Sequence, residues 1–440
     1  MSFPRYSRYK ASGVEWLENV PDSWEVRKFR HLFRESAEKI DREVVGPMLS
    51  VSGYRGIEVK EYDDENRRRL QEDLVGYRIV RVGQLVVNTM WLNYAGLGVS
   101  EHEGHVSPAY RSYQISNALN KRFIHHLLRS GIYVQGYTRL LTGIRPNSLQ
   151  MSRDDLMEFP VLVPPLSEQV RIARFLDRET AKIDELVAEQ ERLLELLKEK
   201  RQAVISHAVT KGLNPDVPMK PSGVECLGEV PIHWHLGGLT RFIGPVVDYR
   251  GRTPTKIDVG QFLVTAKNIR NGLIDYLASE EYVDPVSAES LLNRGRPEVG
   301  DVLFTMEAPL GQVAQIDRTD IALAQRIVKF RGRPGVLDNR FLLFWLMSDQ
   351  CQAMLITLAT GSTALGIKAS KLGMIQCLVP PIDEQVEIVA EILRNTAKLD
   401  NLTNEVRQAI DLLNERRSVL ISAAVMGQSD VRGLIDSEAA

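Results

Sequence analysis

The side chains best suited to chemistry in this chain are two close histidine pairs, a few acid-bearing turns, and loops rich in arginine, asparagine and aromatics. His102 and His105 flank Glu103-Gly104, and His233 and His235 flank Trp234. Imidazoles so spaced could begin a zinc site, but neither pair has cysteine or further histidine at ligand spacing. Solvated loops account for them better, and His125-His126 falls in a helical stretch and reads as structural. No Gly-x-x-x-x-Gly-Lys-Ser/Thr loop occurs, and no Gly-x-Gly-x-x-Gly follows a strand. Asn214-Pro215-Asp216 and Asp284-Pro285-Val286 lack the aromatic of a base-methylating motif. Pro21-Asp22 with Glu25-Val26-Arg27 offers two acids, but the second copy of that stretch has Ile232 and His235 instead. No catalytic residue, bound cofactor or metal is expected of this chain, which reads as a binder.

What it could bind is suggested by its turns. Arginine pairs bidentately with guanine, asparagine or glutamine with adenine, and lysine with phosphate. The candidates in the first half are Tyr54-Arg55, Arg67-Arg68-Arg69, and Asn88, Trp91, Asn93 and Tyr94, with Arg111 on a following strand. In the second half they are Tyr249, Arg250 and Arg252, then Lys267, Asn268 and Arg270, the loop reaching Gln312, and Arg326. These loops differ sharply between the halves, whereas the segments that frame them match.

That matching frame is the organising feature. Lys10-Ala11-Ser12-Gly13-Val14-Glu15 returns as Lys220-Pro221-Ser222-Gly223-Val224-Glu225, and Val20-Pro21 with Trp24 as Val230-Pro231 with Trp234. Pro164-Pro165-Leu166-Ser167-Glu168-Gln169 returns as Pro380-Pro381-Ile382-Asp383-Glu384-Gln385. An offset of roughly 210–218 residues is domain-sized, far beyond a solenoid repeat. Short strands (Val44-Val45, Gly83 to Val87, Tyr110 to Ile115) precede a helix from Asn120 to about Tyr133. Gly300 to Thr305, Ala324 to Val328 and Arg340-Phe341 repeat the plan, so each module is of the α/β or α+β class.

Ser167 and Asp383 are expected as helix N-caps. A second helix is then predicted from about Thr180 to Lys211, and its repeat from 397 to 426. Ile183, Leu186, Leu193, Leu197 and Val204 recur at three- and four-residue steps, with Lys200 as a gap. Leu399, Leu402, Val406, Leu413 and Leu420 keep the same phase around Arg416. This is a coiled-coil seam, expected to pair antiparallel so that the modules keep approximate two-fold symmetry. Gly212 and Gly427 close the helices. At 1.5 Å per residue, 28–30 residues give about 42–45 Å, somewhat more than a DNA turn of about 34–36 Å. The expected segments are modules at 1–160 and 217–378, helical regions at 161–216 and 379–428, and a disordered tail at 429–440.

Composition fits this frame without deciding it. The chain is 44% hydrophobic and 25% charged, with a net charge of −2. Roughly +3 falls on residues 1–160 and about −5 on 380–440, so any DNA binding needs local patches or a partner that neutralises phosphates. No apolar run approaches a membrane span, and the start lacks a secretory signal. Cys226, Cys351 and Cys377 have no paired spacing. A cytoplasmic protein without disulfides is expected.

Taken in order, these segments resemble the specificity subunit of type I restriction–modification systems, over nearly the whole chain. The resemblance rests on Val20-Pro21 with Trp24, Val106-Ser107-Pro108-Ala109-Tyr110, Gly300-Asp301-Val302-Leu303-Phe304-Thr305 with Ala308-Pro309-Leu310-Gly311, and the doubled Pro-Pro-Leu/Ile-Ser/Asp-Glu-Gln. It implies two target recognition domains, each reading half of a split DNA site, with helical regions as spacer. It also implies two modification subunits that use S-adenosylmethionine, and restriction subunits that use ATP and Mg2+. The long helices and the Pro-Pro-x-x-Glu-Gln segments would dock those partners. The alternatives are a coiled-coil scaffold joining two protein-binding modules without touching DNA, or a nuclease or methyltransferase with unrecognised motifs.

Overall fold

Pro164-Pro165 and Pro380-Pro381 each end a short strand, Pro160–Val163 and Gln376–Val379, and each begins a long helix. Proline cannot extend a strand ladder, but its carbonyl can accept the first helical bonds. Accordingly, Gln169 N donates to Pro165 O at 3.0 Å and Gln385 N to Pro381 O at 3.0 Å. Ser167 and Asp383 therefore lie inside the first turn, and neither is the cap expected from the sequence. The helices run unbroken from Leu166 to Lys211 and from Ile382 to Val425. The expected separate helix starting near Thr180 is thus corrected to one of 46 residues, about 69 Å long. No glycine or proline interrupts either run, so nothing stops a helix once it starts.

The computed structural model describes residues 3–61, 71–143, 149–249, 254–361 and 365–434. Two compact units divide the chain: Met1–Gln190 with Gln408–Ala440, and Glu191–Arg407. Each unit therefore holds part of both long helices. In the first, Trp24 bonds Glu168 near the start of one helix and packs against Gly427 just past the end of the other. Farther along, Asp184 meets Arg417 at 2.9 Å. In the second, Trp234 touches both Glu384 and Gly212, and Arg201 meets Asp400 at 3.2 Å. Within each unit the helices run antiparallel. Gly212 and Gly427 have φ of +77° and +68°, the left-handed conformation that ends a helix.

Both units build the same sheet. In the first, Phe33–Glu35, Tyr110–Ile115, Leu85–Asn88 and Leu97–Val99 lie side by side, all antiparallel. In the second, Val247–Asp248, Ile327–Phe330, Val302–Thr305 and Val313–Gln315 take the same order. A helix pair follows each sheet, Lys121–Arg129 with Gly131–Thr138, and Asn339–Met347 with Asp349–Leu358. The single helix expected from Asn120 to Tyr133 breaks at Ser130, whose hydroxyl donates to Leu127 O as Ser348 does to Trp345 O. The second unit adds a sheet in which Gln261–Val264 runs parallel to Ile321–Leu323.

Three further expectations are altered. Val44-Val45 forms no strand but packs, partly buried, beside Ile40 and Tyr77. Of the expected seam, Ile183, Leu197, Leu399 and Val406 are buried, Val204, Leu413 and Leu420 are half-buried, and Leu186, Leu193 and Leu402 are exposed. The tail is not loose through residue 434: Val431 is fully buried in the first unit's core, and Asp430 N donates to Pro4 O. Among the described residues, no single helix is long and apolar enough to cross a membrane.

Candidate nucleic-acid interface

The repeated Glu-Gln pair is a latch within each unit. Trp24 Nε1 donates to Glu168 at 2.9 Å and Trp234 Nε1 to Glu384 at 3.0 Å. Tyr6 adds its hydroxyl to Glu168, and His233 approaches Glu384 at 2.8 Å. Gln169 accepts from Asn120 N and donates to Ala118 O and Pro164 O. Gln385 accepts from Asp338 N and donates to Val336 O and Pro380 O. Both glutamines are fully buried. Their hydrogen-bonding capacity is spent on the backbone, so these glutamines seat each long helix on its own unit.

In the first unit two turns meet. The hairpin Leu49–Ser52 with Gly56–Val59 carries Tyr54-Arg55 at its tip. Beside it lies the turn from Asn88 to Gly96, where Trp91 N donates to Asn88 O and Gly96 N to Trp91 O. A Cβ at Gly96 would sit 2.5 Å from that carbonyl, so only glycine closes the turn. Leu92 anchors it in the core, while Trp91 and Tyr94 stand 56% and 57% exposed with ring centroids 5.7 Å apart. Gly53 approaches Tyr94 O, and Arg129 donates to Ala95 O and Leu97 O on one turn and to Ser52 O and Gly53 O on the other. Tyr54 donates to Asp184 at 2.7 Å, and Arg417 lies over the Tyr54 ring.

The remaining candidates of this unit divide. Arg55 is exposed, 3.3 Å from Glu58. Asn88 is buried, and its side-chain oxygen accepts from Met90 N, so its proposed base contact is corrected to a turn-closing role. Asn93 is half-buried, with a side-chain oxygen that finds no partner. Arg111 bonds Glu35 at 2.7 Å. Burial would raise the Glu35 carboxyl, but Arg111, Arg153 and Arg78 hold it below the ordinary range. Arg67, Arg68 and Arg69 lie outside the described residues.

The second unit sets corresponding parts together with different chemistry. A hairpin of Ile269–Arg270 and Leu273–Ile274 turns at Asn271-Gly272, with φ of +50° and +85°. It abuts the loop before Val313, since Gly272 N donates to Val313 O. Lys267 and Arg270 are exposed, and Leu273 is 71% exposed. Asn268 is fully buried: it caps its own turn at Thr265 N and donates to Asp275 O and Ser279 O. Tyr249 is buried against Gly295 O. Neither can reach a base, a correction to both. Gln312 is half-buried and Arg326 pairs with Glu307 at 3.2 Å, while Arg250 and Arg252 lie outside the described residues.

Sequence reasoning missed Arg129, Asp184, Arg417 and the network around Asp177. Burial opposes the Asp177 charge, yet His126 and Arg122 hold its carboxyl at about 2. Burial lowers His126 and pushes His125 well below the ordinary imidazole value, so both are neutral at pH 7. Arg129 falls to about 10 through burial and the nearby Arg417 and stays charged. Polar residues inside an otherwise apolar helix, Lys121–Arg129, were the available signal. Among the described residues no group of three or more histidine, cysteine or acidic side chains could hold a metal ion.

Residues 256–412 match the type I restriction modification DNA specificity domain. The chain is also 26% identical over 316 residues to the EcoKI specificity subunit of Escherichia coli strain K12, covering 70% of this chain and 65% of that one. Over these stretches the chain is similar to the specificity subunits of type I restriction–modification systems. The EcoBI specificity subunit of Escherichia coli is 25% identical over 321 residues, covering 70% of this chain and 66% of the relative. The match thus spans just under two thirds of those relatives' lengths. The fold is that of a chain solved in a study of complex assembly and conformational transition of the type I R-M system. That likeness has a TM-score of 0.67 at 14% identity, over 92% of this chain and 98% of the solved chain.

Proposed function

We propose that this chain is the DNA sequence-recognition subunit of a type I restriction–modification complex. One observation carries the reading: two units share a sheet order, a helix pair and a Trp–Glu–Gln latch, yet present dissimilar turns. A shared scaffold with different tips suits a bipartite site whose halves differ. On this reading residues 1–160 and 217–378 are the readers, and 161–216 and 379–428 set the spacing. With the Glu-Gln latches internal, two modification subunits would dock on exposed apolar positions of the long helices, such as Leu186 and Val419 in one unit and Leu196 and Leu402 in the other. Restriction subunits would join them in the cytoplasm.

The subunit itself is non-catalytic in this reading. Its partners carry the S-adenosylmethionine, ATP and Mg2+ chemistry, and they supply phosphate contacts that a chain of net charge −2 does not. Co-expression with the cognate modification subunit, followed by methylation-sensitive sequencing, tests this. A modified two-part motif is expected, and exchanging residues 1–160 for those of a relative should change one half only. A scaffold that never touches DNA yields no modified motif.

A further inference from the structure

We infer that Arg129 is a positioning residue for base recognition by the first unit, riveting two separate turns into one reading surface. The inference rests on the DNA-recognition reading above. The four hydrogen bonds of this guanidinium all go to main-chain oxygens: Ala95 at 3.0 Å, Leu97 at 2.6 Å, Ser52 at 3.2 Å and Gly53 at 2.8 Å. One terminal nitrogen serves each turn. No carboxylate forms an ion pair with Arg129 among the described residues. A charge committed to neutral carbonyls, with a second cation nearby at Arg417, is costly to keep unless the geometry it enforces is needed.

The two turns it joins both expose aromatic side chains toward solvent. One carries Tyr54-Arg55, the other Trp91 and Tyr94. Neither turn is fixed to the other by strand pairing: the hairpin pairs within itself, and the other turn joins two sheet strands. Gly53 lies against Tyr94 O, so small shifts in one turn move the other. A second fastening holds the hairpin tip to the long helices. Tyr54 and Arg417 both bond the same Asp184 oxygen, at 2.7 and 2.9 Å, with the Arg417 guanidinium 4.6 Å above the tyrosine ring. Lysine could not replace Arg129, because an ammonium is a point donor and lacks the planar fork that reaches two pairs of oxygens.

The second unit shows that the fold itself does not require an arginine here. Aligning Arg122-Phe123 with Arg340-Phe341 places Met347 at the position of Arg129. Met347 sulfur lies 3.2 Å from where a Cβ at Gly272 would stand, so an apolar contact supports that hairpin. Arg129 therefore belongs to the first unit's own task rather than to the common scaffold.

The test uses full-length Arg129→Lys, Arg129→Met and Tyr54→Phe, each co-expressed with the modification partner and read by genome-wide methylation sequencing. The half-site of the first unit is the one that changes when residues 1–160 are exchanged. For both Arg129 variants, methylation at sites altered in that half should rise about tenfold relative to the cognate site, as displaced base contacts cost discrimination. The other half should stay intact. Tyr54→Phe, which removes one hydroxyl and leaves the ring, should give a smaller loss, about twofold to fivefold. Unchanged discrimination in the first half, or equal loss in both halves, overturns the assignment. If Arg129→Met fails to assemble, Arg129→Lys, which keeps the charge and loses the planar fork, decides in its place. A wild-type chain that directs no bipartite methylation defeats the DNA-recognition reading itself, a different outcome from any of these.

Discussion

The same helix, placed the same way beside the same sheet, is polar in one unit and greasy in the other. Lys121–Arg129 carries His125, His126 and Arg129 where Asn339–Met347 carries Leu343, Phe344 and Met347. The serine that breaks each pair and the glutamine that seats each long helix are alike. A second reversal lies at the start of the strand beside it. Gln84 is a neutral buried side chain accepting from Arg81 N. Asp301, in the matching place, accepts from Glu298 N and also binds Lys329 and Arg331. Both sheets hold paired charge, at Glu35 and at Asp301, but only the first unit also places it in the helix. The scaffold constrains shape, and each unit satisfies its interior with its own chemistry.

The latches should be equal in weight, and this offers the largest effect. Trp24→Ala and Trp234→Ala should each cost about 3–5 kcal/mol in denaturant unfolding, since each ring is buried with its N–H bonded to the motif glutamate. A large effect in only one would show that the repeated segments are not equivalent supports. The sheet comparison breaks next. Lys329→Met leaves Asp301 buried with part of its charge unpaired and should cost roughly 3 kcal/mol. Gln84→Leu should cost about 1 kcal/mol, and similar values for the two would erase the contrast.

Acid sharpens the helix comparison. His125 and His126 have folded pKa values below the ordinary imidazole value, so their neutral forms are the ones the fold holds. Stability from them is complete above about pH 6.5 and is lost as pH falls, by up to about 1.4 kcal/mol per pH unit for each group. Asp177, held at about 2, adds a loss between about pH 4 and 2. Hydrogen exchange at pH 5.5 should therefore loosen Lys121–Arg129 before Asn339–Met347, and His125→Leu with His126→Phe should remove the difference. Equal protection of the two helices at pH 5.5 would contradict the assignment. The smallest effect is at the exposed Arg55–Glu58 pair, where Arg55→Ala should change stability by about 0.5 kcal/mol or less.

Much of the frame was legible because it depends on local rules. Strand, turn and helix order followed from apolar periodicity, and the closing glycines from their place after the last apolar residue. The long helices run through the boundary expected near Thr180 because no glycine or proline breaks the chain between Leu166 and Lys211. The site was less legible. Asn88, Asn268 and Tyr249 have the types that touch bases, yet their side chains serve the turns that hold them. Arg129 gave no local sign of its partners, which lie 32 to 77 residues away along the chain.

The amino-acid sequence alone determined the duplication, the class of each module, the helical connectors and the resemblance to a family. Those properties reside in spacing, composition and local propensity, which a linear text preserves. Only the tertiary structure decided which polar side chains face solvent and which are consumed inside. A hydrogen-bonding group looks the same in sequence whether it meets a base or a carbonyl of its own chain, and burial is settled by which distant segments pack over it.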